Sequence, residues 1–167
     1  MERMPAGTIS LYPSGSAIAR TKGAPAPPAG YGFTAFEQDR RCTFEACGQI
    51  NAGATPNVKT ENLAELVALQ RAMLWARSFA HAMGRPILIR YTSEYAMRIA
   101  TGQWRARKHK AMAADAHRTW KALRQNSKGH VYFKHVPASS TSHARSLAER
   151  GRHGDLRYHS GYAAKVD

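Results

Sequence analysis

Three strand-like segments follow one another in this chain before the first helix-like segment appears. Residues 7–12, 31–36 and 41–50 alternate apolar with small or polar residues and are separated by Pro/Gly-rich or polar stretches. Consecutive strands without an intervening helix pair antiparallel, whereas strands connected through a helix pair in parallel. The first fifty residues therefore predict a three-stranded antiparallel meander.

Helices and strands alternate in the rest of the chain. The long predicted helix carries Leu66, Leu69, Met73, Ala76 and Ala80 at spacings of three and four, which predicts one apolar stripe. The predicted elements are a helix over about 62–83, a strand over 87–91, helices over 93–102 and 111–126, a strand over 130–136, and a helix over 142–151 that Gly151 would cap. This order predicts an α/β fold with a mixed five-stranded sheet (three antiparallel, then two parallel strands) and helices on both faces.

The predicted domain organisation is simple. Residues 1–6 form an N-terminal extension, residues 7–151 the folded domain, and residues 152–167 a basic C-terminal tail without apolar periodicity. The sequence contains no apolar run long enough for a membrane span, so no membrane partner is expected. Cys42 and Cys47 match no zinc spacing and predict free thiols in an intracellular protein.

The charge of the chain indicates the kind of partner it binds. Lysine and arginine total 25 against 11 acidic residues, a net charge of +14. Such an excess favours a polyanionic partner, of which nucleic acid is the commonest. We therefore expect RNA or an RNA–DNA duplex as partner, together with neighbouring protein subunits if the chain belongs to a larger assembly.

One stretch combines cations with an aromatic residue. The segment "QWRARKHK", residues 103–110 and called the basic segment below, contains Trp104, Arg105, Arg107, Lys108 and Lys110. Arginine binds phosphate with two parallel hydrogen bonds, and an aromatic ring stacks on a base or sugar. The alternative interpretation is that Trp104 packs in the core and the cations are merely solvated.

Four phrases resemble the type 1 ribonuclease H family. They are "LYPSGSA" at 11–17, "TENLAEL" at 60–66, "IRYTSEYAMRIATGQW" at 89–104 and "HVPASSTSHARSLAERG" at 135–151, and by element order the resemblance covers residues 7–151. It implies a ribonuclease H fold and an enzyme that cleaves the RNA strand of RNA–DNA hybrids. It also implies two magnesium ions held by four carboxylates, because magnesium prefers charged oxygen ligands.

Three of those four carboxylate positions hold other residue types in this chain. The resemblance places the ligands at Ser14, Glu65, Thr92 and Arg145, and only Glu65 is acidic. We therefore expect a degenerate, catalytically inactive member of the family that holds no metal and no other cofactor, with Arg145 able to pair with Glu65. Structural roles are equally available: Glu65 as part of a helix cap behind Asn62, and Thr92 as the cap of the following helix.

The binding residues of the family are better preserved. The resemblance implies that Thr60 and Asn62 touch the nucleic-acid backbone, although Glu61 occupies the middle of that motif. Together with the five residues of the basic segment, they are the candidate nucleic-acid-binding residues.

The function predicted first is a non-catalytic, RNA-associated structural subunit of a ribonucleoprotein such as an organellar ribosome, which would place the chain in the mitochondrion or another organelle. A second hypothesis is an active hybrid endonuclease that binds Mg²⁺ through a rearranged site containing Asp115 or Glu94. A third is a protein-interaction subunit of a complex without RNA.

Overall fold

The computed structural model describes residues 3–18, 22–23, 27–38, 41–50, 61–79 and 82–160. Its strands are β1 (Ile9–Ser16), β2 (Ala29–Phe36), β3 (Cys42–Ile50), β4 (Ile87–Tyr91), β5 (Val131–His135) and β6 (Arg157–Ser160). Its helices are α1 (Glu61–Ser78), α2 (Glu94–Ala100), α3 (Lys110–Asn126) and α4 (Ser142–Arg152), with one 3₁₀ turn at Ala138–Thr141.

The sheet has the predicted pairing. Strands β1, β2 and β3 form an antiparallel meander, and β4 and β5 are added in parallel beside β1. The full order is β5-β4-β1-β2-β3-β6. The mixed five-stranded arrangement is thus confirmed, and a sixth strand from the C-terminal tail extends it at the β3 edge.

Helices cover both faces of the sheet, as predicted. On one face, Ile9, Leu11 and Phe33 pack in a buried cluster with residues of α1, α2 and α3. On the other face, α4 approaches β2 so closely that a Cβ at Gly32 would lie 2.6 Å from the Ala144 carbonyl oxygen. Helix α1 lies between the sheet and α3, so both of its sides are buried, and the predicted stripe residues Leu66 and Met73 belong to this core.

Several predicted boundaries are wrong for identifiable reasons. Strand β1 does not stop at residue 12 but continues through Ser16, because β2 pairs with it up to Ser16↔Gly30. Helix α1 ends at Ser78, five residues early, because the N–H groups of Ala82 and Met83 both bond to the Phe79 carbonyl in a turn. Ala80, the last predicted stripe residue, lies outside the described residues.

Gly151 does not cap α4, because the helix continues through Arg152. Its role is packing: a Cβ at Gly151 would lie 2.4 Å from the Gly48 carbonyl oxygen of β3. The tail beyond it is also not uniformly irregular, since residues 157–160 form β6. Cys42 and Cys47 are free thiols, as expected. In the described ranges, no helix is both long and apolar enough to cross a bilayer.

Candidate functional site at the carboxyl edge of the central strands

The candidate site lies where β1 and β4 end. These strands are parallel, with Ile9 opposite Ile87 and Leu11 opposite Ile89, so their carboxyl ends meet at the same edge of the sheet. Ser14 lies near the end of β1, and Thr92 follows the last residue of β4. The topology therefore brings two of the four predicted positions to one edge, from strands that are far apart in sequence.

Glu65 reaches this edge from α1. Gly15, next to Ser14, lies directly against the helix, where a Cβ would come within 2.3 Å of the Ala64 carbonyl carbon. The close approach lets the Gly15 backbone N–H donate to the Glu65 carboxylate. Glu65 is 8% exposed, so a buried carboxyl group, rather than a solvated one, lies beside the end of β1.

The environment of Glu65 favours its protonated form. Its pKa is raised to about 7, because desolvation and the neighbouring charge of Glu61 outweigh the lowering effects of the Gly15 hydrogen bond and Arg145. Burial dominates because the protein interior solvates an anion far less well than water does. A carboxyl group with this pKa is only partly ionised at neutral pH.

Arg145 comes to the edge from α4. Its Nη1 lies 3.4 Å from Oε1 of Glu61, and its Nε lies 3.8 Å from Oε1 of Glu149. The expected pairing with Glu65 is therefore corrected: the direct ion pair is with Glu61, one helical turn earlier, while Arg145 acts on Glu65 through its charge. The reason is that Glu61 is half-exposed at the start of α1, where a long side chain from α4 meets it without losing its water.

The four positions do not fit a pair of divalent metal ions. Two neutral hydroxyl groups, a buried carboxyl group with a raised pKa and a guanidinium provide too little negative charge to offset the dehydration of Mg²⁺. Within the part of the chain that the structure describes, no group of three or more His, Cys, Asp or Glu side chains converges on a common point.

The two substitute acids are held elsewhere. Glu94 forms an ion pair of 2.7 Å with Arg98 on the exposed side of α2. Asp115 accepts from Gln70 at 3.3 Å and from Arg118 at 3.0 Å on α3. Each carboxylate is thus bonded to side chains that lie near it in the fold.

Both predicted helix caps are wrong, because each helix begins at a different residue from the one predicted. Helix α1 begins at Glu61, so Asn62 lies inside its first turn and Glu65 faces the sheet instead of the helix end. At α2 the N-cap is Ser93, whose Oγ accepts from the Ala96 N–H at 3.1 Å, and not Thr92. Thr92 therefore remains at the strand end with no capping function.

The basic segment lies beside the same edge and is exposed. Trp104 is 47% exposed, which rules out the interpretation that its ring packs in the core. The guanidinium of Arg98 lies 5.3 Å from the centre of the Trp104 ring, a cation–π contact that orients the indole. The aromatic surface is therefore presented to solvent in a fixed place.

Most of the predicted binding residues line one groove, of about 700 Å³, on the side of the basic segment that faces α1; its lining includes Asn62, Trp104, Arg105, Arg107 and Lys108. Lys110 lines a neighbouring groove of about 590 Å³, to which Trp104, Arg105 and Arg107 also contribute. The two grooves thus share Trp104 and the two arginines. Thr60 lies outside the described residues.

Sequence reasoning missed several residues of this surface. Tyr95, Ile99, Gln103 and His109 line the larger groove, and Arg98 contacts Trp104. The signal for Arg98 was present but weak. Gly102 reverses the chain between Arg98 and Trp104 with a φ of 79°, and such a reversal brings residues six apart together.

The comparisons with known proteins agree with this geometry at the level of the fold. No protein-family model matches the sequence, and no curated protein matches it significantly. Ribonuclease H1 from the halophilic archaeon Halobacterium salinarum is 24% identical with a TM-score of 0.60, over 87% of this chain and 97% of that one.

Two further solved structures are similar. LC11-RNase H1, from a compost metagenome and solved in complex with an RNA/DNA hybrid, is 22% identical with a TM-score of 0.66, over 87% of this chain and 96% of that one. The foamy viral protease-reverse transcriptase, in complex with double-stranded DNA, is 18% identical with a TM-score of 0.68, over 91% and 98%. The chain therefore has the ribonuclease H-like fold, with one carboxylate among the four positions that the sequence resemblance assigned to metal ligands.

Proposed function

We propose that this chain binds a nucleic-acid duplex, RNA or RNA–DNA, without cleaving it, and serves as a basic structural subunit of a ribonucleoprotein. The observation that carries the proposal is the groove in which exposed Trp104 lies with Arg105, Arg107, Lys108 and Asn62. These residues combine an aromatic surface for stacking with guanidinium and ammonium groups for phosphates.

The charge and the fold support the same partner. A net charge of +14 attracts any polyanion. Proteins of the same fold have been solved with an RNA/DNA hybrid and with double-stranded DNA. Recognition would rest on duplex shape, 2′-hydroxyls and phosphates, because the cations of this groove suit a sugar–phosphate backbone better than base edges.

The absence of cleavage is proposed from the edge residues. Ser14 and Thr92 carry no charge, and Arg145 brings a positive charge to the position where a metal ligand would be needed. Glu65, the one acid among the four, is buried, and desolvation is the main cause that raises its pKa to about 7. These features support binding without hydrolysis.

The first experiment separates binding from cleavage. We expect an RNA–DNA hybrid to bind at moderate salt, with affinity falling steeply as salt rises, and to remain intact with Mg²⁺ or Mn²⁺. Trp104→Ala and Arg105→Ala/Arg107→Ala should each weaken binding about tenfold or more, while Arg3→Ala/Lys22→Ala, which removes two exposed cations elsewhere, should change it little. Metal-dependent cleavage that disappears in Glu65→Ala would establish the enzyme hypothesis instead.

The second experiment addresses the host assembly. We propose that the native protein co-sediments with ribonucleoprotein particles, for example organellar ribosomes, and is released by nuclease treatment. A protein that stays in its complex after the RNA is digested would be held by neighbouring subunits, which is the third hypothesis. A free monomer without affinity for RNA would contradict the proposal.

A further inference from the structure

Helix α3 exposes a second basic surface that does not line the groove of the proposed function. Its outward side chains, together with Lys128 two residues after the helix end, provide five exposed cations, called the α3 ridge below: Lys110, Arg118, Lys121, Arg124 and Lys128. The helix buries Ala113, Ala116, Thr119 and Leu123 on its opposite side. Lys110 is shared with the basic segment, so the ridge begins where that segment ends.

Four of these cations lie within α3 itself: Lys110, Arg118, Lys121 and Arg124. At about 100° of rotation per residue, the four fall within an arc of about 120° on one side of the helix axis. Lys110 and Arg124 are separated by about 21 Å along the axis at 1.5 Å per residue. A duplex presents one phosphate charge per roughly 1.7 Å of its axis, so this length matches about six base pairs.

The ridge remains positive after its internal pairings are counted. Asp115 is the one acid in the sequence of α3, and it is bonded to Gln70 and Arg118. Arg124 lies 4.9 Å from the centre of the Trp120 ring, which fixes the guanidinium without neutralising it. In the described part of the chain, Lys121 and Lys128 take part in no ion pair.

The ridge runs from the candidate site to the opposite edge of the sheet. At its start, Met112 packs against the cluster that contains Leu63, close to the beginning of α1. At its end, Lys128 precedes β5, whose first residue Val131 pairs with Ile87, the first residue of β4. Because β4 ends at the site edge, its first residue marks the far edge, and the cations connect the two.

We propose that the α3 ridge is a second nucleic-acid contact, which binds the phosphate backbone of a duplex beyond the part held at the Trp104 groove. The inference rests on the proposed function, since it extends the footprint of the same partner. The ridge lacks an exposed aromatic side chain on its outer side, so it binds charge and contributes no stacking. Its effect therefore depends on duplex length and on salt.

The test compares two lengths of the same RNA–DNA hybrid by fluorescence anisotropy. A duplex of about 8 base pairs fills the groove alone, and one of about 24 base pairs also reaches the ridge. We expect Lys121→Gln/Lys128→Gln to weaken binding of the long duplex about tenfold and to reduce the slope of log K against log salt by about 2, with less than about a twofold effect on the short duplex. Arg3→Gln/Lys22→Gln removes the same charge from exposed positions elsewhere and serves as the matched control.

The outcomes separate the ridge from the groove. Equal losses in the ridge variant and the control would show a bulk charge effect and overturn the ridge. Unchanged long-duplex binding by a folded ridge variant, checked by circular dichroism, would overturn it as well. If the short duplex does not bind but the long one does, and the ridge variant loses it, the ridge stands and the groove proposal fails. A wild-type chain that binds neither duplex overturns both.

Discussion

Glu45 of β3 accepts a hydrogen bond from Arg157 of β6, with 3.0 Å between Oε1 and Nη1. Its other carboxylate oxygen lies 2.7 Å from Nε2 of His143 on α4. One half-buried carboxylate therefore joins β3, the last helix and the edge strand β6. Although burial by itself raises the pKa of Glu45, the hydrogen bonds and charges of His143 and Arg157 outweigh it and hold the pKa below its usual value of 4.5.

Replacing this carboxylate should release β6. In Glu45→Gln we expect amide exchange in residues 157–160 to accelerate by about tenfold or more and the free energy of unfolding to fall by about 1–2 kcal/mol, because two charge-assisted hydrogen bonds weaken. Hydrogen-exchange mass spectrometry and urea unfolding measure the two effects. Glu149→Gln, at a half-exposed position, is the control and should leave β6 protected.

The same carboxylate gives stability a pH dependence on the acid side. A carboxyl group whose pKa is lowered by folding stabilises the protein above the unfolded value, and the contribution is lost as pH falls through the folded value. The wild-type protein should therefore lose its stability advantage over Glu45→Gln below about pH 4.5. Urea unfolding at pH 6 and about pH 3.5 should show this convergence, and a constant difference would contradict it.

Glu65 should give the stability of the protein the opposite pH dependence. Because folding raises its pKa to about 7, the native state binds more protons than the unfolded state between pH 4.5 and 7, and stability falls as pH rises through that window. One pKa unit corresponds to about 1.4 kcal/mol, so the destabilisation approaches about 3 kcal/mol at pH 8. Glu65→Gln should be the more stable protein at pH 8, and its advantage should shrink at pH 5. A difference that does not vary with pH would contradict the burial of the charge.

The contact between β1 and α1 should not tolerate a side chain at Gly15. Gly15→Ala places a Cβ 2.3 Å from the Ala64 carbonyl carbon, so helix and strand must separate, and we expect a loss of about 3 kcal/mol or more. Gly84→Ala is a useful comparison, since its φ of 77° is strained for alanine but, its chain neighbours aside, no atom of the described residues lies within 4 Å of the new Cβ. Its cost should be about 1–2 kcal/mol. Equal costs in thermal unfolding would show that the helix can move away freely.

Restoring carboxylates should restore a response to magnesium. The variant Ser14→Asp/Thr92→Asp/Arg145→Asp places acids at the edge around Glu65, and we expect Mg²⁺ at about ten times its dissociation constant to raise the Tm of the variant by about 3–5 °C. The wild-type chain should show no such rise. A wild-type Tm that rises with Mg²⁺, and ceases to do so in Glu65→Gln, would show that the native edge already binds metal.

The sequence predicted the order and type of the elements from β1 to α4 because these segments have local periods. Alternation marked the meander, and spacings of three and four marked α1, whose stripe residues Leu66 and Met73 are indeed buried. Local patterns could not show which of two adjacent residues with the same functional group would cap a helix. Thr92 and Ser93 both have hydroxyl groups, and only the geometry of the turn selects Ser93 as the cap of α2.

The resemblance named candidate positions for the site, but it did not predict their contacts. The motifs located Ser14, Glu65, Thr92 and Arg145, whereas the partner of Arg145 is Glu61, 84 residues away. That choice depends on how closely α4 and α1 approach the sheet, which Gly32 and Gly15 determine through space. The strand β6 was missed for a related reason: its pairing partner β3 lies more than a hundred residues earlier, and its own four residues have no distinctive period.

The guanidinium of Arg145 supplies the positive charge that balances Glu61 and Glu65 at this edge of the sheet. A bound ion dissociates, and its occupancy follows its concentration in the surroundings. Arg145 is covalently attached to α4, whose backbone is pressed against β2 at Gly32, so the positive charge beside Glu61 and Glu65 is present from the moment the chain folds. The positive charge at this edge of the sheet is thereby part of the covalent chain, and a chelator would not remove it.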